Sequence, residues 1–373
     1  MEIEYVEKHT IFECIVGSQA YGINTLESDV DKSGVMIPGK EYFYGLKKFD
    51  QFNDYPDEDK TIYNIKKVIG LISDNNPNCL DLLFVPERCI IKITPYWQKV
   101  IDNSHLFVSK KCKYTFSGYA ISQLNRIKTH REYLLNPPKA KPERKDFGLS
   151  EDSLFETAQI KSLIHVESLF EYIKDEEKDI FLNKLDNVYA DQIVPLFFKY
   201  LKEDRRTIAL EFLQNALQAQ LKTLISLGKN HFIKDEYVEQ AENELKYYCS
   251  LKNWQRYEEW KKHRNKKRAP LEEKFGFDTK HGAHLVRLLR MGKEILETGK
   301  VNVDRTNIDA EDLKAIRNGS MNYEEIEQYT KDMDEQLNVV YEKSTLQKHP
   351  QTEKINKMCM DICEEYFDKN KRG

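Results

Sequence analysis

The sequence is poor in the features that mark membrane, secreted or charge-driven proteins. No apolar run approaches the ~20 residues that cross a bilayer. The acidic start, Met1-Glu2-Ile3-Glu4, lacks the basic-then-apolar pattern of a secretory signal. Net charge is only −4 although charged residues make up 32% of the chain, so no overall field favours nucleic acid and any basic surface must be local. The seven cysteines are odd in number and scattered, with no CxxC pair. That argues against a disulfide framework and for reduced thiols in a cytoplasmic protein. Cys359 and Cys363 lie one helical turn apart but lack a nearby His or a second pair to make a soft-metal site. Internal repeats and low-complexity tracts are also missing.

What is present is foldable. The 373 residues suffice for two or three domains, and 40% hydrophobic content with 21 Tyr and 18 Phe is that of an ordered chain. The first hundred residues alternate short apolar runs with turns. Strands are expected over Ile11–Val16, Val30–Ile37, Lys48–Asn53 and Leu80–Val85, with a helix over Lys60–Ser73 from the spacing of Ile62, Ile65, Val68, Ile69 and Ile72. This order predicts an α+β head, a small mixed sheet backed by helices. From about residue 105 the spacing turns helical: Tyr119–Leu135, Leu154–Lys174, Ala209–Leu227, Tyr237–Trp260, Thr279–Thr298, Tyr323–Tyr341 and Thr352–Tyr366. The proline-rich basic stretch from Asn136 to Leu149 interrupts them as a loop. The expected division is a head over residues 1–105 and a larger all-helical region over 106–373, with 150–270 as a helical insertion.

The chemistry concentrates near the N-terminus. Gly17-Ser18 follows the first strand, where free backbone N–H groups can hold phosphate oxygens. Ser28-Asp29-Val30-Asp31 opens the second. Side chains two apart on a strand share a face, so Asp29 and Asp31 would repel unless a cation lay between them, as in a divalent-metal site for phosphoryl chemistry. A third acid is expected at Asp81, a lone carboxylate within Leu80-Asp81-Leu82-Leu83-Phe84, where burial is costly without a compensating positive group.

The string Gly17-Ser18-x3-Gly22-x5-Ser28-Asp29-x-Asp31 resembles the signature of the polymerase-β-type nucleotidyltransferase superfamily. The stretch from Gly17 to Val35 is similar to its RNA-ligase-associated, RlaP-type members. Asn76-Pro77 with Leu80–Phe84 resembles that family's later acidic segment, where Glu is usual and Asp81 is one methylene shorter. Lys280-His281-x2-His284-x2-Arg287-Leu288-Leu289 and the stretch from Thr298 to Gly319 resemble its helical motifs. The resemblance covers 11–120 and 278–328 and is weak or absent between them.

It implies a polymerase-β-like head, with Asp29, Asp31 and Asp81 holding two Mg²⁺ (or Mn²⁺) ions. Gly17 and Ser18 would hold β- and γ-phosphate oxygens of an NTP, with Ser28, Lys280, His284 and Arg287 in the nucleotide-binding set. The implied reaction is NMP transfer to an acceptor hydroxyl with loss of pyrophosphate.

RNA or tRNA is the expected acceptor, from the family's association with RNA ligases and from one basic-aromatic segment. Trp254, Tyr257 and Trp260 precede Lys261, Lys262, Arg264, Lys266, Lys267 and Arg268, and stacking rings beside cations suit a single-stranded RNA end. An amphipathic helix ending in a solvated basic turn would read the same way. Arg126, Lys128, His130 and Arg131 could extend a positive cleft. The competing functions are nucleotidylation of a protein side chain and a non-catalytic nucleotide or RNA sensor.

Overall fold

A computed structural model describes residues 2–26, 28–151, 235–265 and 268–370. Helix α1 (Ile3–His9) runs into β1 (Thr10–Ile15), and the short α2 (Gly17–Tyr21) separates it from β2 (Lys32–Met36). Next come β3 (Gln51–Phe52), β4 (Lys60–Asn64), α3 (Ile65–Ser73), α4 (Pro77–Leu80), β5 (Ile90–Ile93) and α5 (Pro95–Asp102). The remaining described chain is helical: α6 (Cys112–Leu135), α7 (Asp235–His263), α8 (Ala269–Phe275), α9 (Thr279–Thr298), α10 (Ala310–Arg317), α11 (Tyr323–Lys343) and α12 (Thr352–Asn370). A mixed-sheet head followed by a mostly helical chain is the expected architecture. The helices expected over Leu154–Lys174 and Ala209–Leu227 lie outside the described residues.

The five strands run in the order β3-β4-β2-β1-β5. β1 pairs antiparallel with β2 and β5, whereas β2 and β4 are parallel, Lys32 facing Lys60 and Met36 facing Asn64. One face packs Phe12, Cys14 and Val35 against α3 and Trp97, whose ring stacks on Phe12 at 5.2 Å. The other carries a smaller cluster of Val6, Met36, Phe52 and Ile62.

Two segments differ from expectation. The helix expected over Lys60–Ser73 begins only at Ile65, because the Asn64 side chain caps it by accepting from Lys66 N at 2.9 Å. Lys60, Ile62 and Asn64 instead alternate inward as a strand, and buried Lys60 pairs with Glu13 at 3.0 Å. The strand expected over Leu80–Val85 is α4 followed by a 3-10 turn, Asp81–Leu83. Asn76 caps this start and Pro77 occupies the first turn, where its missing N–H costs nothing. A short apolar run does not distinguish a buried strand from a buried helical turn.

The chain divides into two compact units, Met1–Leu135 with Asn265–Gly373, and Asn136–Arg264. The first unit thus joins the sheet to α6 and to the helices from α8 onward. Phe116, Ala120, Leu124 and Ile127 of α6 bury into the same core as Phe12 of β1 and Leu285, Leu288 and Leu289 of α9. In the second unit, the loop Arg144 side chain forms a bidentate pair with buried Glu244 of α7.

Candidate active site

The parallel pairing of β2 with β4 sets the site. Lys32 N donates to Asp59 O at 2.8 Å and Val16 N donates to Asp31 O at 2.9 Å. The residues just before two parallel strands and just after β1 thereby meet at one sheet edge. Asp31 and Asp59 are neighbours there, their carboxyls within hydrogen-bond reach. Burial raises the pKa of Asp31, and the like charges of Asp59 and Asp29 raise it further against the lowering effect of Lys280. Asp59 was not singled out from sequence. It sits in the acidic run Asp57-Glu58-Asp59, and its one local signal is that, like Asp31, it directly precedes a strand-opening Lys.

Gly17 faces this pair. Its φ is +65°, and a Cβ built on it would lie 2.5 Å from Asp31 Oδ2. Glycine is needed both for the left-handed backbone and for the close approach of the carboxylate. No side chain caps α2, so the first-turn N–H groups following Gly17 are left for another acceptor.

A cavity of about 440 Å³ opens beside these residues, within the range that takes a nucleotide-sized ligand. Gly17, Ser18, Asp31 and Asp59 line it from the sheet side, and Lys280, His284 and Arg287 from one face of α9. Val16, Ile23, Val85, Val303 and Leu313 supply apolar wall. A smaller, more polar cavity of about 170 Å³ shares Ser18, Asp31, Lys280 and Arg317 with it and adds Ser28, Asp29 and Arg268. Neither Lys280 nor Arg317 forms an ion pair at contact distance among the described residues, so the junction of the cavities presents two cations without contact counter-ions. His284 is held neutral, its pKa pushed down to about 3 by burial and then by Arg287, His281 and Lys280. His281 turns away and lies 3.5 Å from Asp278, the cap of α9.

Asp81 belongs to the larger cavity wall but not to the sheet-edge pair. It is 4% exposed; Tyr21 Oη donates to its Oδ2 at 2.5 Å, and Arg287 stands 3.9 Å away. Burial raises its pKa, opposed by Arg287, Tyr21 and Arg305. Its compensating positive group is thus a guanidinium.

The donor set around Asp31 is all oxygen, which suits a hard divalent cation. Two carboxyls within hydrogen-bond reach tolerate each other only with a proton or a cation between them, so the residues fit such an ion. Among the described residues, no group of three His, Cys, Asp or Glu side chains lies at metal-binding distance.

The structure divides the basic-aromatic segment. Trp254, Tyr257 and Trp260 ride on α7 in the second unit, with Lys141 5.9 Å from the Trp254 ring and Arg264 5.3 Å from that of Trp260. Lys261 and Lys262 are exposed, whereas Lys266 and Lys267 lie outside the described residues. Arg268 falls in the first unit, where it pairs with Asp278 at 2.6 Å. Lys128 and Arg131 are engaged by Glu327 and Glu324 of α11, at 2.6 and 3.1 Å.

A mixed sheet that gathers carboxylates at one edge, across from a Gly-Ser turn, is consistent with a polymerase-β-like head. Residues 2–142 match the model of the RlaP family, described as an RNA repair pathway DNA polymerase beta family, and so support the resemblance carried by the motifs. The chain is also 26% identical over 129 residues to an uncharacterized 38.9 kDa protein from the nrdC-mobD intergenic region of Enterobacteria phage T4. That alignment covers 31% of this chain and only 38% of the phage protein's length. No solved structure matches the chain. Among the described residues, no helix is long and apolar enough to cross a membrane.

Proposed function

We propose that this chain is a divalent-metal-dependent nucleotidyltransferase that moves a nucleoside monophosphate from an NTP to an acceptor hydroxyl, an RNA 3′ end being the favoured acceptor. One observation carries the reading: Asp31 and Asp59 paired at a sheet edge, against Gly17-Ser18 and beside a cavity that holds Lys280, Arg287 and Arg317. Asp29, Asp31 and Asp59 would hold two Mg²⁺ or Mn²⁺ ions, which when bound neutralise triphosphate charge and acidify the attacking hydroxyl.

The chain's own groups position the reactants. The uncapped N–H groups of α2 and the Ser18 hydroxyl bind phosphate oxygens, and Lys280 and Arg317 balance the triphosphate charge. The acceptor oxygen bonds to the α-phosphorus as the bond from that phosphorus to the β-bridging oxygen breaks. The electron pair leaves with pyrophosphate, and the hydroxyl proton passes to the Asp59 carboxylate and then to water. Asp59 takes the third acid's place because it lies beside Asp31, whereas Asp81 is engaged by Tyr21 and Arg287. RNA is favoured by the family's description and by the rings and cations of α7.

The test is incubation with each α-³²P-labelled NTP, Mg²⁺ or Mn²⁺, total tRNA and cell protein. Label on RNA that disappears in Asp31→Asn and Asp59→Asn is the expected result. Label on a protein band would replace the acceptor with a protein side chain. NTP binding without any transfer would replace the enzyme with a sensor.

A further inference from the structure

Among the described residues, four buried side-chain polar atoms have no hydrogen-bond partner: Tyr55 Oη, Asp81 Oδ1, Trp97 Nε1 and Gln123 Oε1. Only Asp81 is a carboxyl among these, and of the four only Asp81 lines the larger cavity. An orphaned buried acceptor costs its full desolvation unless a donor arrives. The rest of the carboxylate is fixed. Oδ2 accepts from the buried Tyr21 hydroxyl at 2.5 Å, and the guanidinium of Arg287 lies over the Tyr21 ring at 3.6 Å. One oxygen is therefore locked to the scaffold and the other has no partner in the protein.

Its position relative to the phosphate-binding groups indicates which part of a ligand it meets. Lys280 and Arg287 are both on α9 and both line the cavity. Seven residues of helix separate them by about 10 Å along the axis. Lys280 acts on Asp31, at the carboxylate end, while Arg287 stands beside Asp81. A nucleotide whose phosphates lie at Asp31 would extend its base toward Asp81, between apolar walls that include Val85 and Val303.

We propose that Asp81 Oδ1 reads the base of the bound nucleotide by accepting a hydrogen bond from an exocyclic amino group, so that the site takes a nucleotide carrying adenine, cytosine or guanine and rejects uracil. This deepens the nucleotidyltransferase reading and rests on it. Arg287 and the Tyr21 hydrogen bond favour the carboxylate form of Asp81 against its burial; in that form it is acceptor-only, and uracil offers a keto oxygen where cytosine offers an amine. With uracil bound in the same pose, a keto oxygen would face Asp81 Oδ1 and leave it unpaired, and only a shift of the base that presents the uracil N3–H would satisfy it.

The experiment is equilibrium binding of ATP, CTP, GTP and UTP, with purine riboside triphosphate as a 6-amino deletion of ATP, to the full chain and to Asp81→Asn. The wild type should bind at least one amino-bearing NTP about tenfold or more tightly than UTP. If ATP is that ligand, deleting its amino group should cost a similar factor, a comparison that needs no variant to fold. In Asp81→Asn, the amide oxygen can take the Tyr21 hydrogen bond and turn its NH₂ toward the base, so the preference should shift toward UTP. Equal wild-type affinity for all four NTPs would overturn the base-reading role and leave the transferase reading standing. A uniform loss in Asp81→Asn, with an unchanged order of preference, would also overturn it. Failure of the wild type to bind any NTP would bring down both.

Discussion

Gly17→Ala separates a backbone cost from a functional one. At φ +65° an alanine costs about 1–2 kcal/mol relative to its preferred region. Its methyl would also stand 2.5 Å from Asp31 Oδ2, well inside the 3.4–4 Å of ordinary contact. Asp31 cannot retreat by moving its backbone, because its carbonyl holds Val16 N and the adjoining Lys32 N holds Asp59 O. The carboxylate itself must therefore move, by about 1 Å, and a displacement of that size at a reacting centre can cost about 10²-fold in rate. Gly299→Ala is the control in the same unit: its φ is +72°, yet its nearest neighbour would be Leu346 at 3.4 Å. Both variants should lose about 2–8 °C of thermal stability, from the backbone cost in a unit of this size. Only Gly17→Ala should lose transfer, by about 10²-fold or more in a single-turnover assay with labelled NTP. Equal transfer rates in the two variants would refute the placement of Asp31 against Gly17 as a catalytic contact.

Asp59→Asn should reduce transfer by about 10²–10⁴-fold, whereas Asp81→Asn should keep transfer with at least one NTP; rate measurements over all four NTPs check both. His284 makes a pH prediction. Its folded pKa of about 3 lies below the ordinary value of 6.5, so the unfolded chain takes up the proton first and stability falls as pH drops from about 6.5 toward about 3. At about 1.4 kcal/mol per pH unit, the loss from pH 6.5 to 5 approaches about 2 kcal/mol, and urea melts of His284→Asn should show a correspondingly shallower decline. Arg305→Ala should cost about 3–5 kcal/mol, because it removes the cation from Glu294 and leaves Asp309 with Arg290 alone in a largely buried network; a urea midpoint near that of wild type would contradict this.

The legible part of the candidate site is the part encoded locally. Gly17-Ser18 and Asp29-x-Asp31 are near one another in sequence, and the spacing of Lys280, His284 and Arg287 places them on one face of α9, whose bounds, Thr279–Thr298, follow from its apolar period and the Asp278 cap. Asp59 was illegible because its place beside Asp31 depends on a parallel pairing of β2 with β4, a contact between segments some 28 residues apart. The demand of buried Asp81 for a positive partner was readable, but the partner's identity was not. A metal and Arg287 satisfy the same electrostatic demand, and only the packing of α9 against Tyr21 distinguishes them. Similarly, Lys60–Ser73 has one apolar pattern across a strand and a helix, and the change of period is visible only through the Asn64 cap.

Two buried arginines show how this fold divides its charges. Arg305 is fully buried, and each of its guanidinium nitrogens donates at 2.7 Å to a carboxylate, two to Glu294 and one to Asp309. Its backbone N–H donates to Tyr21 O, so this neutralised cluster anchors the Arg305 loop to the end of α2. Arg287 is nearly as buried, yet its nearest carboxylate oxygen is 3.9 Å away, and its closer contacts are Met291 Sδ, His284 Nδ1 and the Tyr21 ring. A guanidinium held by a thioether, a neutral imidazole and a π face keeps much of its field. Close pairing of a buried cation confers little net stability; weak pairing in a cavity wall leaves an attraction for an incoming ligand rich in electron pairs. The pairing geometry therefore separates the two: Arg305 holds α2 in place, and Arg287, on the cavity wall beside the half-satisfied Asp81, is the one whose charge the proposed function would use.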